Sequence, residues 1–173
     1  MQIKIERHFF TSHQPLYRQV YSLTQSVEKS YPSYKNWYEN VFLPGLKRGG
    51  RGMILAFEKE RLVGCALIKY VPQEKKLCTL FVHPDFRGRG IGEKLLHNVI
   101  GELGQKPLTS VSEKNIPFVK SLFNKFHFRL SALKKGVYQS GVNEYFFNDE
   151  RAEVIQNKLV PVLIQRQKQL KKD

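Results

Sequence analysis

Apolar and polar positions alternate at the start of the chain, where Ile3, Ile5 and the aromatic positions that follow predict a first strand over Gln2 to Phe10, broken by Ser12 to Pro15. The spacing then lengthens. Leu16, Val20, Leu23 and Val27 recur at helical intervals and predict a helix from Leu16 to Glu28. The aromatic stretch Tyr31 to Tyr38, continued by Val41, Phe42 and Leu46, predicts a second helix stopping at the Gly49-Gly50 pair. Two β-rich runs, Met53 to Phe57 and Leu62 to Val71, flank the charged turn Glu58-Lys59-Glu60-Arg61 and predict an antiparallel hairpin.

Past Pro72-Gln73-Glu74, the run Leu77 to Val82 is apolar on both faces except at Thr79 and predicts a central strand ending at Pro84. Beyond a glycine-rich turn, Ile91, Leu95, Leu96, Val99, Ile100 and Leu103 share one helical face, with Gly104 placed as the C-cap. A short strand over Leu108 to Ser112, a helix from about Pro117 to Phe126, and strands over Phe128 to Lys134 and Glu144 to Phe147 complete the pattern. Strands first, then alternating helix and strand, predict an α/β (α+β) fold with a mixed, mostly antiparallel sheet flanked by helices. One domain over residues 1–149 and a basic, helical C-terminal extension over 150–173 account for the chain, the latter carried by Ile155, Leu159, Leu163 and Leu170 and interrupted at Pro161.

A length of 173 residues is enough for one domain with a real core. Cys65 and Cys78 fall in separate apolar runs, which predicts reduced core thiols, and their spacing is not that of a metal site, so no metal is expected. The first thirty residues hold no apolar stretch long enough for a signal peptide or a membrane span, which predicts a cytoplasmic protein without a membrane partner. The net charge of +14 favours an anionic partner. A phosphorylated cofactor, a nucleic acid or an acidic surface would each satisfy it, and no helix-turn-helix, zinc-finger or RNA-recognition signature chooses among them.

The segment between the predicted strand and the periodic helix reads Val82-His83-Pro84-Asp85-Phe86-Arg87-Gly88-Arg89-Gly90-Ile91-Gly92-Glu93-Lys94-Leu95-Leu96. Glycines at 88, 90 and 92 allow a tight turn and close approach of a ligand, and the first N–H groups of the helix point outward without partners. With the positive end of the helix dipole behind the turn and Arg87 and Arg89 beside it, a pyrophosphate is the natural guest. A Walker loop fails because Glu93 stands where Gly-Lys-Ser/Thr would be required, and a Rossmann turn fails on glycine spacing and on the antiparallel strands that precede it.

This segment resembles motif A of the GNAT superfamily of N-acetyltransferases, V-x-P-x-x-[QR]-x-x-G-x-[GA], with Val82, Pro84, Arg87, Gly90 and Gly92 at its fixed positions. The order of elements extends the likeness from Ile3 to about Phe147 and leaves the tail outside it. The resemblance implies that backbone groups of Leu80, Phe81 and Val82 pair with the pantetheine arm of acetyl-CoA. It also implies that Arg87, Gly88, Arg89, Gly90, Ile91, Gly92 and Glu93 wrap the pyrophosphate, and that a backbone N–H at a bulge in this strand polarises the thioester carbonyl.

Many members carry an Asn followed by a helix ending Tyr-x-x-x-Gly-Phe, in which the Tyr protonates the departing thiolate. Asn115 is the candidate for that Asn and is grouped with the cofactor-binding residues. Counting back from Phe128 puts Phe123 at the Tyr position, whereas counting forward from Asn115 gives Leu122, so neither register supplies a hydroxyl. Catalytic residues are therefore unassigned, with Tyr138 and Tyr145 considered as substitutes for that hydroxyl and the carboxylate of Glu113 considered for deprotonating the amine. Tyr31, Tyr34, Trp37 and Tyr38 fall in the region that forms the acceptor side in the family.

The implied activity is acetyl-CoA-dependent transfer of an acetyl group to a primary amine by direct attack in a ternary complex, with the acceptor unidentified. One alternative is a CoA-binding regulatory module without turnover. Another is an RNA-directed acetyltransferase using Lys47, Arg48, Arg51 and the tail lysines Lys168, Lys171 and Lys172, with the tail also a candidate dimerisation element.

Overall fold

The computed structural model describes residues 2–9 and 13–150. Phe10, the Ser12 break and the predicted C-terminal helix lie outside the described residues. Strand β1 (Ile3–His8) leads to helix α1 (Gln14–Thr24), which continues as a 3-10 turn over Gln25–Lys29. The second predicted helix is built in three parts: α2 (Tyr34–Trp37), a π turn (Tyr38–Phe42) and α3 (Leu43–Lys47). Pro44 is the cause we assign. It cannot donate to the carbonyl of Asn40 and its ring would crowd that oxygen, so the helix widens ahead of it, with Leu43 N–H reaching back to Tyr38.

Strands β2 (Arg51–Glu58), β3 (Arg61–Val71) and β4 (Glu74–Val82) follow β1 in one antiparallel sheet of order β1-β2-β3-β4. After helix α4 (Ile91–Leu103), strand β5 (Thr109–Ser112), helix α5 (Ile116–Lys125), β6 (Leu130–Lys135) and β7 (Asn143–Phe147) complete the described fold. The last three strands form a second antiparallel sheet of order β5-β7-β6. The predicted single sheet is thus two ladders, joined by one parallel bridge between Lys76 and Leu108.

Strands β2 and β3 occupy the centre. Ile54, Ala56, Ala66 and Ile68 point to one side and meet Leu95, Leu96 and Val99 of α4. Met53, Leu55, Cys65 and Leu67 point to the other and meet Val20 of α1 together with Phe42 and Leu46. Each fully buried Leu, Ile or Val side chain contributes about 1.5–3 kcal/mol. The strand predicted as central, β4, instead lies at the edge of its sheet, with only Leu77 and Thr79 buried. Past Leu77 its outer edge borders a cleft where a central strand would have a second neighbour to pair with.

Candidate functional site

Strands β4 and β5 meet once and then separate. Leu77 N–H donates to Leu108 O and Leu108 N–H to Lys75 O, each at 3.0 Å, and the Thr109 hydroxyl donates to Leu77 O at 2.9 Å. Beyond Leu77, β4 pairs with β3 alone among the described residues. The register shifts here, with Thr79 opposite Leu67 and Leu77 opposite Ile68, which leaves Cys78 as the extra residue of a bulge.

Antiparallel pairing alternates, so one hydrogen bond sets the direction of its neighbours. His83 N–H donates to Val63 O at 2.9 Å, which turns the backbone groups of residues 79, 81 and 83 toward β3. Leu80 and Val82 therefore present theirs to the open side. The Arg87 Nε–H group donates to Val82 O at 3.1 Å and marks that side as accessible. Phe81 lines the cleft, but its own backbone polar groups are turned to β3.

The turn after β4 ends at the first residues of α4. Gly88 (φ 73°) and Gly90 (φ 75°) are left-handed, a conformation costing any other L-residue about 1–2 kcal/mol, and a Cβ at either would meet nothing within 4 Å. Gly90 is the N-cap and has no side chain to cap the helix. Lys94 N–H donates to Gly90 O, so the N–H groups of Ile91, Gly92 and Glu93 have no intrahelical acceptor and the positive end of the helix stands open. The Glu93 carboxylate would oppose an anion there, but Lys125 Nζ lies 2.6 Å from it.

A cleft of about 1010 Å³ joins these features, and Leu80, Phe81, Val82, Arg87, Gly88, Gly90, Ile91, Gly92, Glu93 and Asn115 all line it. Arg89 does not. Its left-handed glycine neighbours turn it aside, and its guanidinium stacks 5.1 Å from the centroid of Phe86. Asn115 is joined to the opposite wall, its Oδ1 accepting from the Ser30 hydroxyl at 3.4 Å. Cys78, expected in the core, lines the cleft with its Sγ 3.7 Å from an Arg51 nitrogen. Arg51 itself stacks over Trp37 and Phe42, which sets it apart from the exposed Lys47 and Arg48 with which it was grouped. Among the described residues, no group of three or more His, Cys, Asp or Glu is placed to hold a metal.

Of the proton-transfer candidates, Tyr138 reaches the cleft, while Glu113 and Tyr145 are not among the lining residues. The Glu113 carboxylate instead accepts from Asn143 Nδ2 at 2.8 Å. Phe123 lines the cleft and is buried. On the other wall stand Tyr31, Tyr34 and Trp37, whereas Tyr38 is a core residue whose hydroxyl donates to Tyr17 O at 2.9 Å.

One pair escaped the sequence. The Tyr31 hydroxyl donates to Glu144 Oε1 at 3.1 Å and accepts from Ser112 N–H at 2.9 Å. Glu144 is buried, and burial raises its carboxyl above the ordinary value of 4.5, opposed by hydrogen bonding from Ser110 and Tyr31 and by the charge of Lys76. Burial likewise raises the Tyr31 phenol. The available signal was strand alternation: Glu144 shares a face of β7 with Phe146, so the pattern sets a carboxylate among apolar residues.

Residues 13–120 match the family model described as the acetyltransferase (GNAT) family. A stretch of 60 residues is 42% identical to a mycothiol acetyltransferase from Nocardiopsis dassonvillei, covering 35% of this chain and 18% of that protein's length. The fold is similar to that of a GNAT-family protein from Desulfovibrio desulfuricans, with a TM-score of 0.68 at 18% identity over 84% of this chain and 97% of the other. It is also similar to a GNAT acetyltransferase from Elizabethkingia anophelis solved with acetyl-CoA bound, with a TM-score of 0.62 at 18% identity over 84% and 95%. Likenesses at such identities establish the fold.

Proposed function

The chain belongs to the acetyltransferase (GNAT) family, and from that premise we propose that it transfers the acetyl group of acetyl-CoA to a primary amine by direct attack within a ternary complex. The observation that carries this reading is the meeting of an open strand edge and an uncapped helix N-terminus in one cleft. Leu80 and Val82 offer backbone donors and acceptors suited to an amide-bearing pantetheine arm. Ile91, Gly92 and Glu93 offer N–H groups suited to a pyrophosphate, reinforced by Arg87. Val82 O has two lone pairs, so it can accept from the ligand while Arg87 Nε stays bonded to it and the remaining guanidinium N–H groups serve the phosphates.

In the reaction, the amine nitrogen bonds to the acetyl carbon as the C–S bond breaks, giving an amide and CoA. A backbone N–H at the Cys78 bulge is the candidate donor to the developing oxyanion, effective because it is fixed before charge appears. Phe123 has no proton to give, so the departing sulfur must take one from water or another group. The test measures free thiol released with acetyl-CoA and a panel of amines, alongside calorimetric binding of acetyl-CoA. Binding with amine-dependent thiol release is expected. Folded protein that fails to bind acetyl-CoA would sink the reading.

A second reading, a CoA-binding regulatory module without turnover, draws on the same phenylalanine. Tight binding with no transfer across the panel would favour it.

A further inference from the structure

We propose that Tyr31 and Glu144 form the acceptor-side proton relay, in which the Tyr31 hydroxyl contacts the incoming amine and Glu144 takes its proton. The inference rests on the amine-acylating reading above and assigns the base that reading leaves open.

The valences of the Tyr31 oxygen carry the argument. A phenol has one hydrogen to donate and two acceptor positions. The hydrogen goes to Glu144 Oε1 and one acceptor position is filled by Ser112 N–H. One acceptor position remains, on a residue that lines the cleft. Glu144 does not line it and reaches it through Tyr31.

A purely structural role fits the pair poorly. Pinning the loop around Tyr31 to β5 and β7 needs only a neutral acceptor, and burying a carboxylate 97% from solvent costs far more than burying an amide. Its position, 113 residues from Tyr31 in sequence, makes it a tertiary contact of the fold. Every surrounding element contributes to its environment. Lys76 on β4 favours the ionised form, Ser110 on β5 supplies a hydroxyl, and Lys134 on β6 pairs in register but holds its Nζ over Phe146. Tyr138, in the loop between β6 and β7, meets the Tyr31 ring edge-on at 5.3 Å, and Glu113 is held by Asn143. Burial is the largest influence on the carboxyl and raises it, which makes it a stronger base than an exposed carboxylate.

The step balances. As the ammonium proton passes to the Tyr31 oxygen, the Tyr31 proton passes to Glu144, leaving a neutral amine, a neutral phenol and a carboxylic acid. The amine then attacks, its second proton leaves with the CoA thiol, and Glu144 returns its proton to water. Tyr31, Trp37 and Tyr138 line the cleft and favour an amine with an aromatic or other apolar group close to the nitrogen.

Phenethylamine is the probe. Glu144→Gln keeps an acceptor for Tyr31 and removes the base. With acetyl-CoA and phenethylamine, its kcat should fall by roughly 10²–10⁴-fold and the acidic limb of its pH profile should vanish, while acetyl-CoA affinity stays within about twofold. Tyr31→Phe should also lower kcat, and the double variant should be no slower than the slower single, as expected of groups acting together. Calorimetric binding of phenethylamine supplies a readout without turnover, with Glu144→Gln binding about tenfold more weakly than wild type. Unchanged kcat, or equal amine binding in the two proteins, would overturn the relay while leaving acetyl transfer standing. Failure of wild type to bind phenethylamine would also overturn it. Failure to bind acetyl-CoA would defeat the proposed function instead, and the amine-binding comparison would still decide the relay.

Discussion

The rings of Phe123 and Phe128 stack with centroids 4.5 Å apart and planes 16° from parallel, and Phe147 meets Phe123 edge-on at 5.1 Å. Phe123, which the count back from Phe128 sets at the place of the family pattern's proton-donating tyrosine, thus ties α5 to the second sheet. Phe123→Ala should cost about 3–5 kcal/mol, read from denaturant unfolding. Phe123→Tyr keeps the stack and adds a hydroxyl to a ring that already lines the cleft. Stability within about 1 kcal/mol of wild type and thiol release faster by about tenfold are expected. An unaltered rate in the folded variant would show that the ring cannot present a hydroxyl to the sulfur.

Two glycines of the same region should respond in opposite ways to alanine. Gly90 is left-handed, so Gly90→Ala should destabilise by about 1–2 kcal/mol and weaken acetyl-CoA binding by disturbing the start of α4. Gly101 sits exposed inside α4, and a Cβ there meets nothing within 4 Å. Gly101→Ala should therefore stabilise by about 1 kcal/mol and leave acetyl-CoA affinity alone. Thermal melts and calorimetry on both variants check the contrast.

Arg87 and Arg89 are equivalent by charge and separated by conformation. Arg87 lines the cleft between the rings of Phe81 and Phe118, at 5.8 and 5.2 Å, while Arg89 stacks on Phe86 outside it. Arg87→Ala should weaken acetyl-CoA binding about tenfold and reduce its salt sensitivity, whereas Arg89→Ala should change affinity by less than about twofold. Equal losses in the two variants would mean that Arg89 turns in when the ligand binds.

This separation marks where sequence stops being informative. Periodicity revealed the elements because helix and strand repeats are local, and the glycine turn was visible because its chemistry is contiguous from Val82 to Gly92. Local signals could not decide what covers a strand. The apolar run from Leu77 to Val82 reads equally well as a buried central strand or as the wall of a ligand cleft, and the structure makes it the wall. The direction of Arg89, the Cys78 bulge and the Tyr31–Glu144 contact depend on register and on residues far apart in the chain. The π turn before Pro44 was open to prediction, since a proline inside a helical pattern must be accommodated.

Glu144 should also give the fold a pH dependence of defined sign. Burial is the largest influence on its carboxyl and raises it above 4.5. Between the unfolded value and the raised folded value, the folded protein keeps a proton that the unfolded chain has released. Stability from this group is thus fully present below the unfolded value and is lost as pH rises through the folded one. Glu144→Gln removes the titration and keeps the acceptor for Tyr31, so the variant should gain stability relative to wild type as pH rises from about 4.5 toward neutrality. Denaturant midpoints measured for both proteins at each pH would show the curves diverging. Parallel curves would mean that the carboxyl titrates as it does in the unfolded chain, and the environment invoked for the proton relay would lose its thermodynamic support.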